Sequence, residues 1–458
     1  MAVLSRAAAV LAGACAVLTA ACYSPQIAEC TVRCGSAGEC PSGLTCAADD
    51  FCHADEGQLC DAADGPLGPD ARVFDAGPQV DGPVGMPDAP HAVDAPIGTP
   101  DGPGAPDAPG APDAPTSCVP VLEDIDTEGT PQMGDISLAA DGTLHVTYVR
   151  SAGGELWYAN QAPGGGWHTD FVDFAISVKK GQFLDAAGDL HVAYTDEDSG
   201  VTTLWYGHLG ANATAWTTEP VTSDGDPIDA TIAVDSLARV HIAYYDKSAG
   251  VLDYATPVLG FGWTIDPIDT GGDTGDVGEY PSLAISPTLG RLFVTYSDVT
   301  NTTLKLASRT AGIWSAKTID ATGNTGSFSA LAIDGDGNLN IAYADETAGT
   351  LRFMLANPAV TTTTRLLADS PKSGRWNAIG LDPQGGVHIS TFAFGDGDLH
   401  VAYRPAGGVF TAPAVETQGT VGRFTGIAVD RLGGAHVVYT DDTHGILRHA
   451  YVCPPTAQ

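Results

Sequence analysis

Short hydrophobic runs recur along the C-terminal three-quarters of the chain, and polar, glycine-rich segments separate them. Many of these runs alternate apolar and polar residues, as in residues 241–244 (HIAY) and 252–255 (LDYA). This period of two is typical of half-buried β-strands. Clusters of Gly, Asp and Pro between the runs indicate turns. No stretch keeps a helical period, so the pattern predicts an all-β domain of short strands.

Seven copies of one repeat occupy residues 118–453, within a predicted domain at 118–458. The consensus of the copies has an Asp-x-x-Gly turn, an alternating second strand, a third strand and often a Trp that begins a fourth. The copies start about 48 residues apart, and four strands in a unit of this length are typical of a propeller blade. We therefore predict a seven-bladed β-propeller. The turn carries Asp141, Asp185, Asp235, Ser286, Asp334, Asp382 and Asp430, and the second strand starts at His145, His191, His241, Phe293, Asn340, His388 and His436.

We predict structural rather than catalytic roles for the recurring Asp and His residues. Equivalent positions around a ring cannot all be catalytic, and Phe293 and Asn340 replace the His without breaking the pattern. Asp is favoured in turns because its side chain bonds nearby backbone amides. We expect the His to bond a neighbouring backbone group or Asp, and we expect the recurring Trp residues to lie in the core.

The last copy ends at Cys453 without a fourth strand. Residues 119–126 (VPVLEDID) resemble the fourth-strand ends of other copies, such as residues 318–320 (TID). We therefore predict that this N-terminal strand completes the last blade. That arrangement places Cys118 beside Cys453 and predicts a disulfide between them.

Residues 1–21 have the pattern of an export signal. One early charge, Arg6, precedes an apolar run of small residues that is too short to span a bilayer. The run ends at Cys22 and resembles a bacterial lipobox, which implies lipidation of Cys22. The usual Leu lies one position early, at Leu18, so cleavage and secretion without a lipid is the alternative. Tyr23 rather than Asp follows the Cys, and the family rule then implies the outer membrane.

Two segments separate the signal from the propeller. Residues 22–60 carry six Cys, and an exported chain predicts three disulfides of undetermined pairing. Zinc is the alternative, although CxxC pairs are absent and His53 is the only nearby His. Residues 61–117 repeat Pro-Asp-Ala-Pro and predict a disordered, extended linker. The six Cys are Cys30, Cys34, Cys40, Cys46, Cys52 and Cys60.

The net charge of the chain makes some classes of binding partner unfavourable. The chain has 56 acidic and 20 basic residues, a net charge of -36. This balance argues against nucleic acid and against membrane binding by charge alone. Residues 334–340 (DGDGNLN) match part of a Ca²⁺ loop but lack the closing Glu. We expect no cofactor, with Ca²⁺ at this turn as the alternative.

The candidate binding residues precede the innermost strand in four successive copies. The aromatics there predict a ring at the mouth of the central channel, and loops carrying Asp residues open onto the same face. Aromatic faces beside charged groups suit sugar rings or a charged ligand; the alternative is that the aromatics only plug the channel. The aromatics are Tyr280, Phe328, Trp376 and Phe424, their charged neighbours are Glu279, Arg375 and Arg423, and the loop residues are Asp196, Asp246, Asp298, Asp345 and Asp441.

The complete arrangement resembles surface lipoproteins common in myxobacteria, and the repeat resembles a widespread family of extracellular bacterial blades. The resemblance concerns architecture, because propellers host many functions. The sequence lacks a G-x-S-x-G elbow, an H-E-x-x-H motif, a P-loop and sialidase-like Asp boxes. We therefore predict a monomeric binding module for glycan or protein ligands at the cell surface. The alternatives are a polysaccharide hydrolase or lyase and a structural envelope protein.

Overall fold

The computed structural model describes residues 45–46, 52–53, 120–272, 275–357 and 362–454. The chain divides into two compact units, Met1–Ala105 and Pro106–Gln458. In the first unit, strands β1 (Thr45–Cys46) and β2 (Cys52–His53) form an antiparallel pair. The predicted signal, the Cys-module disulfides, the linker and Cys118 lie outside the described residues. Within the described residues, no helix is long and apolar enough to cross a membrane.

The described part of the second unit consists of strands and their connections. The strands are β3 (Val121–Asp126), β4 (Pro131–Leu138), β5 (Leu144–Arg150), β6 (Glu155–Gln161), β7 (His168–Phe174), β8 (Gln182–Leu184), β9 (Leu190–Asp198), β10 (Val201–Leu209), β11 (Thr217–Thr222), β12 (Pro227–Val234), β13 (Val240–Asp246), β14 (Val251–Val258), β15 (Gly262–Asp269), β16 (Val277–Ile285), β17 (Leu292–Asp298), β18 (Thr303–Thr310), β19 (Ile313–Asp320), β20 (Ala330–Ile333), β21 (Leu339–Asp345), β22 (Thr350–Asn357), β23 (Thr362–Pro371), β24 (Arg375–Leu381), β25 (Val387–Ala393), β26 (Asp398–Arg404), β27 (Ala414–Glu416), β28 (Val421–Val429), β29 (Ala435–Asp441) and β30 (Ile446–Val452).

These strands form seven antiparallel, four-stranded sheets, which confirms the predicted seven-bladed propeller. Blades 1 to 6 each take four consecutive strands, from β4–β7 in blade 1 to β24–β27 in blade 6. Blade 7 takes β28, β29 and β30, and β3 supplies its fourth strand. Val121 lies opposite Tyr451 and Asp126 opposite Leu447. The N-terminal strand therefore closes the ring, as its sequence predicted. Cys453 is in a disulfide, and its pairing with Cys118 stays a prediction.

The second strand of each blade is the most deeply buried element. Strands β13, β17, β21 and β25 are buried at every position. Apolar side chains of neighbouring sheets pack against each other, as Leu252 and Tyr254 of blade 3 do with Val294 and Tyr296 of blade 4. Burial of one such side chain stabilises the fold by roughly 1.5–3 kcal/mol. The core is therefore a set of layers between blades.

Five tyrosines connect adjacent blades through a repeated hydrogen bond, which we call the interblade latch. Each Tyr lies on a second strand and donates its hydroxyl to a carboxylate at the end of the preceding blade's fourth strand. Thr391 occupies the equivalent position in blade 6. The latches join Tyr148 to Asp126 at 2.7 Å, Tyr194 to Asp173 at 2.6 Å, Tyr296 to Asp269 at 2.5 Å, Tyr343 to Asp320 at 2.7 Å, and Tyr439 to Glu416.

The recurring His and Asp residues have structural partners. Nδ1 of His241 lies 2.6 Å from the Tyr254 hydroxyl, and its Nε2 lies 3.4 Å from Asp235. Asp235 Oδ1 also accepts the backbone amides of Leu237 and Arg239. Blades 1 and 2 repeat the His–Tyr contact, at 2.6 and 2.8 Å. These residues therefore fix the turn after the first strand.

The domain has two distinct faces. The first strands begin at one face, and the turns between second and third strands lie there too; we call it the mouth face. The turns between first and second strands and between third and fourth strands lie at the opposite face. Val121 and Tyr451, near the two ends of the described domain, pair at that opposite face, which we call the terminal face. The chain therefore enters the propeller on the side away from the mouth.

Candidate functional site

Seven structurally equivalent residues surround the channel where the first strands begin. Each has a left-handed backbone, with φ between 49° and 58°. In five blades the residue lies in a β-bulge at the start of the first strand, and such a bulge redirects a side chain. All seven line one cavity. We call this set the mouth ring: Met133, Lys180, Asp229, Tyr280, Phe328, Trp376 and Phe424.

A left-handed backbone is unfavourable for these bulky residues. It costs roughly 1–3 kcal/mol at each non-glycine position. Hydrogen bonds stabilise it in blades 4 to 6, because a side chain next to the ring residue of the following blade donates to the carbonyl of each ring residue. Ser329 Oγ donates to the Tyr280 carbonyl at 2.9 Å, and Asn377 Nδ2 donates to that of Phe328 at 3.2 Å. Thr425 donates to the Trp376 carbonyl at 2.6 Å.

The four aromatic residues expected at the mouth form one continuous arc. Ring centroids lie 4.5 Å apart for Tyr280 and Phe328, 5.2 Å for Phe328 and Trp376, and 5.3 Å for Trp376 and Phe424. Neighbouring rings are tilted by 40° to 59°. All four side chains are half-buried. The aromatic arc therefore presents a curved apolar wall that keeps part of its surface open to solvent.

Neither predicted arginine lines the cavity, and one of them, Arg423, lies over two rings of the arc. The Arg423 guanidinium lies 4.6 Å from the Trp376 ring centre and 5.0 Å from that of Phe424. Arg375 lies over Phe394, at 4.5 Å. Each also pairs with a carboxylate at 2.9 Å, Arg423 with Asp442 and Arg375 with Glu346. Since these acids belong to turns between second and third strands, the contacts confirm that those turns share the mouth face.

Blades 2 and 3 make the other side of the mouth polar. Lys179 Nζ and Asp229 Oδ1 form an ion pair at 2.9 Å. The predicted residue Glu279 lies beside the ring, where burial and the nearby carboxylates of Asp229 and Asp276 raise the pKa of its carboxyl. The mouth therefore has an apolar half and a polar half that carries both signs of charge.

Lys180 crosses the channel from blade 2. Its Nζ donates to the Ser329 carbonyl in blade 5. Burial lowers the pKa of Lys180 to about 8, although the carboxylates of Asp135 and Asp229 oppose that shift. Burial likewise raises the pKa of Asp135 to about 6, although its bonds from the Gln182 and Ile136 amides favour the charged form. An amine in the mouth ring and an acid that interacts with it electrostatically thus both have pKa values shifted toward neutral pH.

The cavity inside the mouth ring is small. Its volume is about 50 Å³, which is room for about three or four water molecules. Asn377 also lines it, and this side chain is fully buried. A sugar ring does not fit inside a space of this size, so a ligand that uses the arc must lie across the mouth.

Four of the five loop acids expected to face the ligand have a different role. Asp246, Asp298, Asp345 and Asp441 are buried, between 0% and 9% exposed. Asp345 Oδ1, for example, accepts the backbone amides of Thr347 and Ala348 in its own turn. The carboxylate oxygens in such a turn already accept backbone amides. These four acids therefore stabilise turns rather than face a ligand.

Two places in the propeller are candidates for binding a cation: the turn at residues 334–340 and an acidic group on blade 6. In the DGDGNLN turn, Asp334 Oδ1 accepts the backbone amides of Asp336 and Asn338, as Asp235 does in blade 3. This turn is therefore built like its equivalents. A separate group on blade 6 holds ligand atoms within 4.8 Å of one another: Asp396, Asp398 and His400. Exposed acidic groups of this kind are common without a metal, and we assign it none.

The sequence search missed three members of the mouth ring, namely Met133, Lys180 and Asp229. It selected aromatic side chains, and these three positions carry other residue types. Their signal was spacing, because Lys180 and Asp229 lie at the same repeat interval from their neighbours as the aromatics do. Aligning all seven copies by position rather than by residue type identifies the complete ring.

Fold and ring together define a seven-bladed β-propeller with a half-aromatic, half-charged mouth. No family model and no curated protein matches the chain. Solved structures with weak similarity include the polysaccharide lyase Uly1, with 9% identity and a TM-score of 0.47 over 69% of this chain and 89% of that chain. AofleA from Arthrobotrys oligospora shows 12% identity and 0.44 over 65% and 89%. The Aleuria aurantia lectin shows 16% identity and 0.43 over 62% and 94%. At these values no function is transferred to this chain.

Proposed function

We propose that this chain is a cell-surface lipoprotein whose propeller binds glycans across the mouth ring. The observation that carries the proposal is the continuous arc from Tyr280 to Phe424, with charged side chains at its edge. Aromatic faces bind the apolar face of a sugar ring, and polar groups around them fix its orientation. Seven left-handed residues in one ring also represent strain, and such strain concentrates at functional sites.

The polar groups at the mouth match the hydroxyls of a sugar. Arg375 and Arg423 are each about one-third exposed, 37% and 35% for the side chains, so their remaining N–H groups are available to a ligand. Glu279 and Asp229 offer acceptors on the opposite side. The mouth thus offers both donors and acceptors for hydrogen bonds with the hydroxyl groups of a sugar. A sugar held this way lies flat on the arc, because the cavity beneath it is too small to admit a ring.

The position of the termini favours display. The propeller receives its N-terminal strand at the terminal face, so a tether through residues 61–117 leaves the mouth free. We propose that lipidated Cys22 anchors the chain to the outer membrane and that the linker extends the propeller from it. The acidic, proline-rich composition of residues 61–117 suits such a spacer, because like charges and proline extend a chain.

A glycan array with residues 23–458, produced in an oxidising compartment, tests the proposed function. Trp376→Ala and Phe424→Ala are expected to weaken binding of any glycan hit at least tenfold. The matched control is Phe261→Ala, which removes an aromatic residue that is 85% exposed on the terminal face. Binding that survives both mouth substitutions, or fails equally in the control, contradicts the proposal.

A further inference from the structure

The Lys180 amine lies at the base of the mouth, below the aromatic arc. Its side chain reaches from blade 2 to the Ser329 carbonyl in blade 5, and it lines the same cavity as Tyr280, Phe328 and Trp376. An ammonium group in such an apolar enclosure is costly to keep charged. A group of this kind is characteristic of functional sites.

The surroundings of Lys180 favour a neutral, nucleophilic amine. Burial and the adjacent charge of Lys179 both lower the pKa of Lys180, to about 8. At pH 7 about a tenth of Lys180 is therefore the free base, against less than about a thousandth of an ordinary lysine. Desolvation and a neighbouring cation are the two means by which proteins activate a lysine toward carbonyl compounds.

The carboxyl group of Asp135 interacts electrostatically with the Lys180 amine. Burial raises the pKa of Asp135 to about 6. Asp135 is thus partly protonated near neutral pH and is suited to transfer protons to and from a reacting group. Asp135 lies on the first strand of blade 1, next to the cavity-lining residue Gly134, and Lys180 lies two residues before the first strand of blade 2.

Asn377 supplies a hydrogen-bond acceptor in the same cavity. Its Nδ2 donates to the carbonyls of Phe328 and Gly374, at 3.2 and 2.8 Å. Its Oδ1 is buried and has no partner among the described residues. A ligand hydroxyl that donates to Oδ1 satisfies this atom. With room for about three or four small atoms, the cavity fits a two-carbon aldehyde that carries a hydroxyl.

We propose that Lys180 captures small α-hydroxyaldehydes as an imine at the base of the mouth. The amine nitrogen adds its lone pair to the aldehyde carbon, and its first proton passes to the carbonyl oxygen to give a carbinolamine. Protonated Asp135 gives its proton to that hydroxyl, which leaves as water, and the Asp135 carboxylate then takes the second proton from the nitrogen. The net change is amine plus aldehyde to imine plus water, without any oxidant or reductant. This activity uses the mouth but does not depend on glycan binding.

Reductive trapping tests the proposal on wild-type residues 23–458. The protein is incubated with glycolaldehyde and sodium cyanoborohydride, and modification of each lysine is measured by peptide mass spectrometry. Lys247 and Lys317 are exposed and serve as internal references. We expect Lys180 to be modified at least tenfold faster than either reference at pH 7, with a half-maximal rate near pH 8.

Two comparisons define what would overturn the proposal. Lys180 modified no faster than Lys317, or with the pH profile of the exposed lysines, overturns imine capture. Acetaldehyde lacks the hydroxyl, so its preference for Lys180 over Lys317 should be smaller than that of glycolaldehyde; equal preferences overturn the assignment of the hydroxyl to Asn377. Because trapping is read at one residue, its result is independent of the glycan array.

Discussion

The Arg423 guanidinium lies over Trp376, 4.6 Å from the ring centre, and joins the aromatic arc to the acidic turn of blade 7 through Asp442. The contact places a cation against the third aromatic of the arc. Thr425 also donates to the Trp376 carbonyl. The side chain proposed to stack on sugar is thus positioned by two neighbours on the adjacent blade.

Removing this guanidinium should weaken the proposed glycan binding. Arg423→Ala loses a cation–π contact of about 0.5–2 kcal/mol and a donor for sugar hydroxyls, so we expect affinity to fall about 3- to 30-fold. Titration calorimetry with an array hit provides the measurement. Arg309→Ala is the control, because Arg309 also lies 4.6 Å from an aromatic ring centre, Tyr254, but near the terminal face. Equal losses in both variants contradict a local role at the mouth.

The interblade latches should contribute measurably to stability. Tyr343→Phe removes the hydroxyl that Asp320 accepts at 2.7 Å and deprives a fully buried carboxylate of one donor. We expect about 1–3 kcal/mol of destabilisation, measured by urea unfolding. Tyr403→Phe is the control, because no hydrogen bond of the Tyr403 hydroxyl occurs among the described side chains. Similar midpoints for Tyr343→Phe and wild type would show that the latch contributes nothing.

Acid should destabilise the propeller through its buried imidazoles. Burial lowers the pKa of His241, His388 and His436 below 6.5, and that of His449 to about 4. The unfolded chain then binds more protons than the folded one below pH 6.5, so stability falls as the pH drops through 6.5 toward the folded pKa. Unfolding midpoints between pH 7.5 and 4 measure this loss.

One substitution in blade 7, the ring-closing blade, tests how much that blade contributes to the pH dependence of stability. His449 occupies the place of Tyr254 in blade 3, and its Nε2 lies 3.1 Å from His436 Nδ1. His449→Tyr restores the His–Tyr pair of blades 1 to 3 and removes the group with the lowest pKa. We expect a shallower loss of stability between pH 6.5 and 4. A slope unchanged from wild type would exclude His449 as a contributor.

The disulfide at Cys453 should stabilise the closed ring. With Cys118 as partner it closes a loop of over three hundred residues, for which chain-entropy arguments give an upper value of about 6 kcal/mol. Peptide mapping without reduction is expected to recover Cys118 linked to Cys453. The paired variant Cys118→Ser with Cys453→Ser should unfold at a lower temperature than wild type. A linkage of Cys453 to another cysteine would contradict the predicted seam.

The sequence determined the blade count and the closing strand because both follow from strand spacing. Strand β3 was found from the residues VLEDID, whose final Ile-Asp matches the ends of the fourth strands β15 and β19. The left-handed bulge was not predictable, since its φ depends on how seven strands meet around the channel rather than on residue type. For the same reason Lys180 went unnoticed: its long side chain reaches Ser329 only once blades 2 and 5 face each other. Asp345 was also assigned a different role by the two approaches. The sequence predicted that it faces a ligand, whereas in the fold it is buried and bonds the amides of its own turn.

A crystal structure of the propeller with an array hit tests the proposed binding site most directly. The account predicts a sugar ring lying across the aromatic arc, in contact with Trp376 and within hydrogen-bonding distance of Arg423. Sugar bound instead between the outer strands of two blades, for example beside Trp216, with the mouth unchanged, would contradict it.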